Sequence, residues 1–152
     1  MDPETIFFIC IYLLALLVLV VPAILGDFIK PEKSNQTTDN KLSETNNHLR
    51  YVIIIVCLLI ISVIFLHYKK KYATWLFIIL TISMILCLLG LISYMAYVRD
   101  NPHTVNMQGS LSWTSSPYLV ITSTILLIIV KVLEFLLSYH DDKLLVKIFL
   151  DE

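Results

Sequence analysis

Residues 72–98 read YATWLFIILTISMILCLLGLISYMAYV, a run of 27 positions without one charged side chain. An α-helix rises 1.5 Å per residue and the hydrocarbon layer of a bilayer is about 30 Å thick, so about 20 such residues cross it. The run is therefore a membrane span with residues to spare. Upstream it abuts Lys69-Lys70-Lys71, and beyond that basic turn Tyr51 to Tyr68 forms a second uncharged run closed by Arg50. Further out, Thr5 to Leu25 lies uncharged between Glu4 and Asp27, and Pro117 to about Tyr139 supplies a fourth segment. That last segment is long enough only if Lys131 and Glu134 travel inside it, since Tyr118 to Val130 falls well short of a crossing.

Composition agrees. The chain has 152 residues, 58% apolar and 15% charged, against roughly 45–50% and about 25% for a soluble domain. Between the spans remain a polar loop (26–50), the basic turn (69–71), a loop (99–116) and a tail (140–152). None is long enough for an independent core. Backbone amides within lipid must be satisfied inside their own segment, so the expected fold is an all-α membrane protein, an antiparallel bundle of four transmembrane helices. A net charge of −1 offers no basic surface for nucleic acid. The first span is expected to be retained rather than cleaved as a signal sequence, because Asp2 and Glu4 stand where basic residues belong and the apolar run is too long.

Orientation rests on charge density and on one triplet. Lys30, Lys33, Lys41, Arg50 and Arg99 fall on one side and Lys69, Lys70, Lys71, Lys143 and Lys147 on the other. The second group is concentrated beside helix ends, where positive charge favours the cytosol. Asn35-Gln36-Thr37 is an N-glycosylation acceptor in the first loop, which a sugar would place on the lumenal or outer side. Both termini are then cytosolic. Tyr68, Tyr72 and Trp75 mark one interface and Tyr94, Tyr97, Trp113 and Tyr118 the other.

Lys131 and Glu134 are the ionisable side chains of a span's interior, three residues apart on one face. An ion or proton pathway, or a polar lock between helices, is one reading. The favoured one is that both lie in the cytosolic third and either snorkel to the interface or neutralise each other, Lys131 being within about 12 Å of the helix end at the helix rise. In the third span Ser83, Cys87 and Gly90 form a stripe of small side chains, continued by Ser93 and Ala96. Small residues let helix backbones approach in lipid, so the stripe is expected to be the internal seam, with a contact between copies as the alternative.

Cys10, Cys57 and Cys87 lie within spans and are expected to act as small apolar residues, with palmitoylation of Cys10 a lesser option. His67, His140, Asp141 and Asp142 would meet near the cytosolic surface and could bind a metal; ordinary interfacial polarity is expected instead, and no cofactor is implied. Leu144, Leu145, Ile148 and Phe149 with Lys143 and Lys147 would let the tail lie along the inner leaflet, and Asp141 to Leu145 also has the form of a dileucine sorting signal. No nucleophile–base pair or nucleotide-binding loop is present, so no enzyme is expected.

The order of parts, together with Gly90 to Pro102 ending in Tyr97-Val98-Arg99-Asp100-Asn101-Pro102, resembles the claudin and peripheral-myelin-protein superfamily of small tetraspans. That resemblance implies cytosolic termini, a glycosylatable first outer loop, a short basic inner turn and a small-residue third span. Residues 27–50 contain neither Trp nor Cys, so the superfamily's first-loop signature is absent and only Asn35 is carried over. The expectation is a non-enzymatic protein acting by lateral contacts, in adhesion or membrane organisation or as an accessory subunit of a membrane complex, with the bilayer and other membrane proteins or itself as partners. The alternative is an oligomeric channel or transporter lined by Thr122-Ser123-Thr124 and the Lys131–Glu134 pair.

Overall fold

The computed structural model describes residues 3–31, 40–69, 74–105 and 109–140. Uniformly apolar sequence leaves a helix as the only economical way to satisfy the backbone, and four form: α1 (Pro3–Leu25), α2 (Asn40–Lys69), α3 (Thr74–Asp100) and α4 (Ser116–His140). All four are long and apolar enough to cross a membrane. The chain is an integral, multi-pass membrane protein built as an antiparallel bundle.

Local chemistry sets the helix ends. Pro3 opens α1, where its missing N–H is not needed. At the other end Gly26 adopts φ +64° and donates its N–H to the Pro22 carbonyl at 2.8 Å, a left-handed cap that suits glycine. Asn101 ends α3: its backbone N–H and its side-chain amide both donate to the Tyr97 carbonyl, at 3.0 and 2.9 Å, and Pro102 forbids continuation. Pro117 sits in the first turn of α4, as expected from its sequence position.

In the bundle α1 lies against α2 and α4, and α3 closes the ring between α2 and α4 with the lighter packing. Each helix turns a heptad-like seam inward: Tyr12, Ala15 and Leu19 from α1, Ile53, Val56, Ile60 and Val63 from α2, Met84, Leu88, Leu91, Met95 and Val98 from α3, Val120, Leu127 and Val130 from α4. Alternating three- and four-residue steps are the signature of shallow-angle, left-handed packing.

Two parts differ from expectation. Residues 40–50 are not loop but the first three turns of α2, with Leu42, Thr45 and Leu49 buried along one face. At 30 residues α2 is about 45 Å long, so roughly ten residues stand clear of the hydrocarbon. The two long connections also meet. Strand β1 (Ile29–Pro31) pairs antiparallel with β2 (Leu111–Trp113), Ile29 opposite Trp113, above a short 3-10 turn (Pro102–Val105). Phe28, Ile29, Val105 and Leu111 are buried beneath this cap.

Side-chain hydrogen bonds hold the cap to the bundle. Asn46 on α2 accepts from the Ile29 N–H at 3.2 Å and donates to the Ile29 carbonyl at 3.1 Å, treating the outer edge of β1 as another strand would. The Arg50 guanidinium donates through Nε to the Ala23 carbonyl at 2.7 Å, placing a cation at the negative end of α1. Thr114 donates to the Asp27 carbonyl at 2.6 Å, and Trp113 donates its indole N–H to the Met95 carbonyl at 3.2 Å. Arg99 lies 4.3 Å from the centroid of the Trp113 ring, a cation–π contact that joins α3 to β2.

Candidate functional site: a polar seam and an open face

An ionised side chain at membrane depth is tolerated where it meets an opposite charge and further hydrogen-bond donors. The i, i+3 spacing in α4 brings the Lys131 ammonium to 2.8 Å from Glu134 Oε2. The other carboxylate oxygen, Oε1, accepts a hydrogen bond from the Tyr12 hydroxyl at 3.1 Å. Tyr12 is fully buried, and the side chains of Lys131 and Glu134 are 25% and 14% exposed. Glu134 thus bridges an ammonium on its own helix and a phenol on α1.

Nearer the cap the same two helices are joined again. The Ser123 hydroxyl, wholly buried, donates to the Ala15 carbonyl at 3.0 Å. Its neighbours bond within α4: Thr122 donates to the Tyr118 carbonyl and Thr124 to the Val120 carbonyl, at 2.9 and 2.8 Å. The polar run of the fourth span is therefore engaged with backbone, and Ser123 and Thr124 face into the bundle rather than outward.

Tyr12 escaped the sequence reading. The available signal was its place in the middle of a span, away from both aromatic belts, where a phenol requires a partner. Asn46 has no local signal, because the polar composition of residues 40–50 predicts loop where the structure forms the first turns of α2.

The stripe on α3 is a correction. Cys87 and Gly90 are exposed, Ser83 is half-buried, and a Cβ added at Gly90 would meet nothing within 4 Å. The internal seam of α3 instead runs through Thr81, Met84, Leu88, Leu91, Met95 and Val98. Larger side chains fill the interior on α3, the helix with the lighter packing. The small residues face outward, where only lipid or another protein can meet them. Beside them, between α2 and α3 near the cap, a groove of about 320 Å³ is lined by His48, Leu49, Val52, Cys87, Leu91 and Tyr94. A second groove of about 390 Å³ lies further along, bounded by Ile61, Ser62, Phe65, Leu66 and Leu80.

Of the cysteines, Cys57 is buried in the core and Cys10 and Cys87 are exposed. Asn35, the basic turn beyond Lys69, Asp141, Asp142 and the tail from 141 lie outside the described residues, as do the side chains of His67 and His140. Among the described residues, no three His, Cys, Asp or Glu side chains gather as a metal site. Compared with known proteins, the chain matches no family model, no curated protein and no solved structure.

Proposed function

We propose that this protein is a non-enzymatic tetraspan that works by lateral contacts within the membrane, with the outward face of α3 as its docking surface. The observation that carries this reading is the stripe of exposed Cys87 and Gly90, continued by half-buried Ser83, on the helix with the lightest internal packing. Small side chains facing lipid gain little from lipid, but they let a second helix approach closely enough for backbone-level van der Waals contact. The partner is another integral membrane protein or a further copy of this chain. With the cap on the lumenal or outer side, Asn35 is placed for glycosylation and both termini lie in the cytosol. A role in adhesion or membrane organisation, or as an accessory subunit of a membrane complex, fits a protein whose exposed parts are this small.

A channel built on α4 is less well supported. Its hydroxyls are engaged with carbonyls, and Glu134 is held by Lys131 and Tyr12 rather than presented to a lumen. The test is copper-catalysed cross-linking in native membranes through Cys87, with Cys10→Ala to remove the other exposed thiol. A Cys87-dependent dimer, or a stoichiometric membrane partner recovered in mild detergent and lost in Ser83→Leu, is expected. Recovery of a lone monomer from both experiments overturns the reading.

A further inference from the structure

We draw no further inference here: the strongest candidate, the side-chain cluster of Tyr12, Lys131 and Glu134 between α1 and α4, belongs to the site already described, where the Lys131 ammonium and the Tyr12 hydroxyl each hold one Glu134 carboxylate oxygen and nothing in the structure points to a ligand for it.

Discussion

Glu134 shows what one side chain must do to be tolerated at membrane depth. Its two oxygens are taken by groups on two helices, so neither charge is left to lipid alone. Tyr12→Phe removes one donor and is expected to cost about 0.6 kcal/mol, the average for intramembrane hydrogen bonds. Glu134→Ala leaves the Lys131 ammonium without its carboxylate and should cost about 3 kcal/mol. Replacing both members, as Lys131→Met with Glu134→Leu, should restore most of that loss, because an apolar pair needs no desolvation. Reversible unfolding in bicelles measures all three. With Lys131→Met measured alone as well, a double loss equal to the sum of the two single losses would show that the two charges are not coupled. The Lys131–Glu134 pairing was legible from spacing alone. Tyr12 was not, because it is 122 residues away in the chain and a contact of that range leaves no local trace.

At the level of elements, the spans could be read because hydrophobic length is a property of each segment by itself. Their inward faces could not. In a helix that is apolar all round, core and lipid sides carry the same residue types, so the heptad of Met84, Leu88, Leu91 and Met95 cannot be told from its reverse side by hydropathy. Small residues were the remaining cue in α3, and they marked the outer face. The first turns of α2 were hidden differently: Leu42 and Leu49 are single apolar residues in a polar stretch, and their value appears only when the cap covers them. Two changes probe these junctions. Gly26→Ala must hold φ +64° with a Cβ 3.0 Å from Arg50 Cδ, and should cost about 1–2 kcal/mol in the same unfolding assay. Asn46→Ala removes both bonds to Ile29 and should speed exchange of the Ile29 amide roughly fivefold, the equivalent of about 1 kcal/mol, while amides within α1 stay protected. Unchanged exchange at Ile29 would mean that β2 alone holds the strand.

For the whole molecule, four crossings put both ends of the described chain on one face and the cap on the other. Reporter tags at the two termini should respond together to a membrane-impermeant protease, and alkaline carbonate should leave the protein in the membrane. A glycosidase-sensitive mobility shift, lost in Asn35→Gln, is expected if the cap is lumenal. Tags found on opposite faces would contradict the bundle itself.

The link between Tyr12 and Glu134 also has a meaning in time. Synthesis at about 5–20 residues per second puts roughly 6–24 s between the emergence of the phenol and that of the carboxylate it contacts. During that interval the first helix lacks its principal neighbour, and the second and third can already form a hairpin without it. A nascent chain in this state exposes Tyr12 and the Ala15 carbonyl before the groups that meet them exist. Until α4 arrives, α1 has only α2 of its two helix neighbours, so the contacts that α4 makes with α1 are the last of the bundle to form.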